Sequence, residues 1–160
     1  MKTLLRSAFL GAVLAVLAAG AVAQTAKNPE LGTWKLNLAK SKYNPGPPPK
    51  EPTVITVEVA GKGVKYTSKG VNSEGKTTAT EYTATYDGKD VSLKGSEVGD
   101  AMSLRRIDAH TFERLNKKDG KVVQTILRKY SKDGKSFTAK VTGTNAKGEK
   151  IDNMLFYDRM

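Results

Sequence analysis

From Leu31 onward, apolar residues recur at every second position rather than every third and fourth, which is the spacing of a strand with one dry face and one wet face. In the stretch from Ser136 to Thr144, Phe137, Ala139, Val141 and Gly143 fall on one side. Ser136, Thr138, Lys140, Thr142 and Thr144 fall on the other. Ile55, Val57 and Val59 repeat the pattern, as do Val64 and Tyr66 against Lys65, Thr67 and Lys69. Such alternation belongs to an antiparallel sheet with a single core face. No amphipathic helix is predicted after Gln24.

Between these runs an acidic residue, a glycine and a lysine stand together four times: Glu74-Gly75-Lys76, Asp87-Gly88-Lys89, Asp119-Gly120-Lys121 and Asp133-Gly134-Lys135. Glycine reaches the positive φ that tight hairpins need, and a preceding carboxylate bonds back to the local backbone, so each predicts a turn between antiparallel strands. About ten strands follow: Leu31–Leu38, Thr53–Ala60, Gly63–Val71, Thr77–Tyr86, Lys89–Gly95, Ala101–Asp108, His110–Lys117, Lys121–Ser131, Lys135–Thr144 and Glu149–Arg159. An open sheet of that size leaves two unpaired rims, and closure removes both. The expected fold is all-β, an antiparallel up-and-down barrel, with a β-sandwich as the alternative that regular hairpin spacing also allows.

Two segments depart from the rhythm. Residues 1–23 read as an export signal, with Lys2 and Arg6 at a basic start, an apolar run from Ala8 to Ala19 and the small-residue site Ala21-Val22-Ala23. The run is short for a membrane span, so a cleaved leader and a periplasmic or secreted product beginning at Gln24 are expected, without a transmembrane anchor. The remaining 24–160 form one domain. Ala39 to Pro52 contains Asn44-Pro45-Gly46-Pro47-Pro48-Pro49, which cannot be helical and favours an extended polyproline path. It reads as a stiff connector across the barrel end or as a flap over the mouth.

The chain has no cysteine, so it must hold together without disulfides and without the thiolates that common structural zinc sites use. Lys and Arg total 27 against 16 acidic residues. Losing Lys2 and Arg6 with the leader lowers the net charge from +11 to +9. Most lysines sit at turns or alternate with Ser and Thr, where a solvated face puts them. Lys117, Lys118, Lys121, Lys129, Lys132 and Lys135 crowd two neighbouring hairpins and suggest a basic patch for an anionic envelope polymer or lipid head groups. Only Tyr130 accompanies them as a stacking aromatic, which together with export argues against nucleic acid.

Gly32-Thr33-Trp34-Lys35 opens the first strand. It resembles the Gly-x-Trp start of lipocalins and the Gly-Thr-Trp-Lys start of cellular fatty-acid-binding proteins, in which the tryptophan closes the base of a ligand-holding barrel. The Trp-Lys-Leu-Asn-xx-Lys-Ser-Lys run and the proline-rich loop also resemble a group of small exported bacterial proteins described as lipocalin-like, whose function is poorly defined. The departures are informative. The proline-rich segment stands where fatty-acid-binding proteins carry a two-helix lid. Their ligand-holding Arg-x-Tyr lies on the last strand, whereas here Tyr157-Asp158-Arg159 is reversed and Arg128-Lys129-Tyr130 comes two strands earlier. The Thr-Asp-Tyr motif of lipocalins is missing. Fold therefore transfers better than function.

Candidate catalytic groups are scattered. His110 is the only histidine and lies at a predicted turn, so a histidine-rich metal site is impossible, and no serine sits in a nucleophile elbow. Neither a cofactor nor a metal is expected. A ten-stranded barrel is wide enough for internal space, and the expected function is non-catalytic binding of a small hydrophobic or amphipathic molecule, with an uncharacterised enzyme as a further alternative. The candidate ligand-binding residues are Trp34, Tyr82, Tyr86, Arg106, Arg128, Tyr130 and Tyr157, since a polar group on a core-facing row orients a ligand with one polar end. The strand at 121–131 has two readings. One parity turns Val123, Thr125 and Leu127 inward as plain wall. The other turns Gln124, Ile126, Arg128 and Tyr130 inward, with an arginine able to hold a carboxylate or phosphate.

Overall fold

A computed structural model describes residues 28–160; the expected leader and the start of the exported chain lie outside the described residues. The strands are β1 (Gly32–Leu36), β2 (Glu51–Ala60), β3 (Gly63–Val71), β4 (Thr77–Ala84), β5 (Val91–Ser92), β6 (Ala101–Arg106), β7 (Thr111–Lys118), β8 (Lys121–Tyr130), β9 (Ser136–Thr144) and β10 (Lys150–Arg159). They form one antiparallel sheet in the order β4-β3-β2-β1-β10-β9-β8-β7-β6-β5. Every strand pairs with its chain neighbour except across β4 to β5, and β1 also pairs with β10, Trp34 standing opposite Arg159. This is a nearly closed up-and-down barrel, compatible with a calycin-like one.

Closure at β4 and β5 rests on little backbone. The expected strand Lys89–Gly95 shrinks to Val91–Ser92, because the chain after Asp87 first pairs with β6 and then crosses to β4. Gly88 N–H donates to Leu104 O at 3.0 Å, and farther on Glu81 and Lys94 exchange both backbone bonds at 3.0 Å. Gly95 follows at φ +70°, where a Cβ would come within 2.0 Å of Ala79 O, so only glycine lets the two edges meet. The Asp87-Gly88-Lys89 turn is thus a crossing rather than a tight hairpin. Asp119-Gly120 is the tight one: both residues have positive φ, 49° and 74°, as a two-residue turn between β7 and β8 requires.

The proline-rich segment does more than connect. Past Leu36 the chain continues beside β10: Asn37 N–H donates to Phe156 O, Lys42 and Met154 exchange backbone bonds, and Asp152 N–H donates to Asn44 O. Its prolines then turn over the barrel end that also carries the β3–β4, β5–β6, β7–β8 and β9–β10 turns. The opposite end, the base, holds the described N-terminal residues, the β2–β3, β6–β7 and β8–β9 turns, and Arg159.

Burial settles the doubtful parity. Gln124, Ile126, Arg128 and Tyr130 of β8 face inward and are buried, while in the other row Val123 and Thr125 are only half-buried and Leu127 is 42% exposed. On β10, Tyr157 is buried and Leu155 packs against the core, whereas Met154 faces out.

Candidate functional site

The base is a plug. Trp34 is fully buried, its indole N–H donates to Glu30 O at 3.0 Å, and its ring meets Tyr130 and Phe137 edge-on at 5.3 and 5.0 Å. The Arg159 guanidinium lies 4.1 Å above the Trp34 ring and donates to Leu31 O at 2.8 Å and Pro29 O at 3.3 Å. One cation thereby ties the last strand to the N-terminal segment and covers the indole face.

Just inside the plug lies a closed polar network. Glu30, 0% exposed, accepts Arg128 Nη1 on Oε1 at 3.0 Å and the Tyr86 hydroxyl on Oε2 at 2.9 Å. Arg128 Nη2 donates to the Tyr82 hydroxyl at 3.1 Å. Both ends of the guanidinium are therefore engaged. Burial raises the Glu30 pKa above the ordinary carboxyl value, outweighing the opposing pull of Arg128 and Tyr86. Burial also raises Tyr82, Tyr86 and Tyr130, so these phenols stay neutral and serve as hydroxyl groups.

Above this network the barrel is not filled. A cavity of about 170 Å³ is bounded by Ile55, Ile126, Ala139, Val141 and Leu155 on its apolar side. Tyr66, Phe137, Tyr157, Arg114, Asn116, Gln124 and Arg128 complete it. Register explains the polar side: β7 and β8 set Arg114 opposite Ile126 and Asn116 opposite Gln124. Arg114 Nε donates to Asn116 Oδ1 at 2.7 Å, Asn116 Nδ2 to Gln124 Oε1 at 3.0 Å, and Gln124 Nε2 to Thr144 O at 2.8 Å. This relay runs in one direction and fixes the plane of the Arg114 guanidinium. The same guanidinium lies 5.0 and 5.5 Å from the rings of Tyr82 and Tyr66, which are stacked on each other at 4.6 Å.

A second hollow of about 310 Å³ opens at the mouth among Tyr43, Pro45, Pro47, Val98, Asn145 and Lys147. Lys147 pairs with Glu74 across it at 2.7 Å. The inward row of β10 leads from Ile151 and Asn153 in this hollow to Leu155 and Tyr157 in the cavity below. The Tyr43 hydroxyl is buried there with no hydrogen-bond partner.

The seven residues singled out from the sequence are therefore spread over three environments. Arg128 and Tyr157 border the cavity. Trp34, Tyr82, Tyr86 and Tyr130 belong to the plug and the network beneath it. Arg106 requires a correction: its row runs off the barrel end, where the exposed guanidinium covers the Phe112 ring at 5.4 Å and donates to Asp108 O and Ala109 O, each at 3.0 Å. Glu30 and Arg114 were not anticipated. Glu30 precedes the first strand, where alternation gives no warning, and Arg114 sits beside Leu115, which makes the opposite parity of β7 look equally apolar. The pairing of Asn116 with Gln124 across the β7–β8 turn was the available clue.

The basic patch also changes. The β7–β8 and β8–β9 turns lie at opposite ends of β8, whose ten residues span about 33 Å. Lys117, Lys118 and Lys121 are therefore at the mouth, and Lys129, Lys132 and Lys135 toward the base. Lys117 is further engaged by Asp90 at 2.6 Å. His110 stays at its turn, with Nδ1 buried and unpaired and its backbone N–H on Asp108 Oδ1 at 2.8 Å. No helix among the described residues is long and apolar enough to cross a membrane. No protein-family model matches the chain, and no curated protein is similar to it at a significant level.

Proposed function

We propose that this protein is a lipocalin-like, non-catalytic binding protein that holds a small amphipathic molecule inside its barrel, in the periplasm or outside the cell. The observation that carries the reading is the cavity above the plug, with an apolar wall on one side and oriented polar groups on the other. A barrel built only for stability gains nothing from leaving that space open, because unfilled volume forfeits packing. The mouth hollow, lined in part by the proline-rich segment, lies farther along the same inward row of β10. Export rests on the leader-like 1–23 segment, and the N-terminal residue of purified protein, expected to be Gln24, checks it.

Native mass spectrometry of gently purified protein, followed by thermal shift against a panel of lipids and small metabolites, tests the binding reading. A co-purified molecule or a ligand-dependent rise in Tm is expected. A bare protein that no member of the panel stabilises ends the carrier reading.

A further inference from the structure

We infer that the cavity takes a compact monocarboxylate, one with a ring-sized apolar body, and that Arg114 holds its carboxylate; this rests on the interior-ligand reading above. Two inward arginines face each other's strands, but only one has a counter-charge. Arg128 is neutralised by Glu30. Arg114 is 8% exposed and makes no ion pair among the described residues, and residues 1–27 contain no Asp or Glu to supply one. A guanidinium set inside the barrel with no counter-charge leaves its charge available to an anionic partner.

The geometry also leaves the right edge of that cation free. Nε is committed to Asn116, and the relay through Gln124 to Thr144 O prevents the guanidinium from swinging. Nη1 and Nη2 make no hydrogen bond to the described residues, and the side chain borders the cavity. Two parallel donors on a fixed plane suit a carboxylate, which accepts them as a fork. Asn116 and Gln124 each commit one amide N–H to the relay that orients the arginine.

Size and charge narrow the class. About 170 Å³ is close to the roughly 150 Å³ of a cavity that accepts benzene, and well below the lower limit of about 300 Å³ usual for drug-sized ligands. A long-chain fatty acid does not fit. One unpaired guanidinium balances one negative charge, and Ile55, Ile126, Ala139, Val141 and Leu155 suit an apolar body rather than a polyhydroxylated one.

Sodium benzoate, its neutral analogue benzyl alcohol, and palmitate serve as probes at neutral pH, with calorimetry and NMR of the Arg114 guanidinium and the Ile126 methyls as readouts. Wild-type protein is expected to bind benzoate more tightly than benzyl alcohol, with benzoate shifting the Arg114 Nη protons. Arg114→Met should weaken benzoate at least about tenfold, as loss of a charge-assisted pair implies, and leave benzyl alcohol unchanged. Arg114→Lys, which keeps charge but loses the fork, should fall between them; it and the wild-type Nη shift carry the test if Arg114→Met does not fold. Benzyl alcohol binding as well as benzoate, or benzoate binding unaltered in Arg114→Met, overturns the carboxylate assignment while the interior-ligand reading stands. Palmitate outcompeting benzoate overturns the compact class. If none of the three probes moves an interior resonance, this inference falls, and the co-purification experiment separately decides whether the broader reading falls with it.

Discussion

Arg128 and Arg114 lie on neighbouring strands, both inside the barrel and both against the Tyr66–Tyr82 stack, yet they do opposite things. Around Arg128 the chain supplies every partner from its own sequence: Glu30 below and Tyr82 beside it. Around Arg114 it supplies an orienting relay and then stops, leaving open space beside a guanidinium with no counter-charge among the described residues. The lower region closes the barrel with its charges balanced, whereas the middle leaves one cation without a counter-charge among the described residues. A buried arginine by itself does not mark a ligand site; the informative quantity is whether its charge is already balanced.

The contrast breaks most sharply at Glu30. Glu30→Ala strands Arg128 without a counter-charge, and a loss of about 3–5 kcal/mol is expected in denaturant unfolding. Trp34→Ala, which removes the plug itself, should cost a similar 3–5 kcal/mol. Replacing both members of the pair, Glu30→Leu with Arg128→Met, should restore much of the loss, since exchanging a whole buried pair for apolar residues is often neutral or better. A double variant as unstable as Glu30→Ala would show that the network holds the fold by more than charge balance. Arg114→Met should behave differently from all of these: no loss of stability, or a modest gain, measured as Tm without ligand.

The smallest effects concern protons, and their signs oppose each other. Glu30 has a raised pKa in the folded state, chiefly from burial, so its contribution is full below its ordinary value of 4.5 and is lost as pH rises through the folded value. Glu30→Gln should remove that decline from the stability profile. Asp87, Asp108 and Asp133 are held below their ordinary 3.8 by hydrogen bonds at their turns, led by the Lys89 backbone for Asp87, the His110 backbone for Asp108 and the Ser131 hydroxyl for Asp133. Their contribution is full above 3.8 and is lost as pH falls through the folded values. Asp133→Asn should therefore lower stability slightly and evenly above about pH 5 while flattening the loss at acid pH.

The architecture was largely legible because its signals are local. Alternation in β9, the Asp119-Gly120 turn and the Gly32-Thr33-Trp34 start each act over a few residues, and each stands where the local chemistry places it. Strand five was not legible, because its length depends on how the chain from Asp87 to Gly95 divides its backbone bonds between β6 and β4. The candidate site was harder still. Tyr157 and Arg128 lie on inward rows that border the cavity, but Arg106 lies on an equally suggestive row that simply runs past the barrel end.

By itself, then, the sequence determined that the described chain is a zigzag of half-buried strands, since side-chain period and turn chemistry are encoded residue by residue. Only the tertiary structure decided which arginine is spent and which is free. Glu30 meets Arg128 across 98 positions of chain, and no local pattern records a partnership made by closing a barrel. The lysines teach the same lesson from outside: six that look contiguous along the sequence are parted by the length of one strand, because successive turns of an antiparallel sheet must lie at opposite ends.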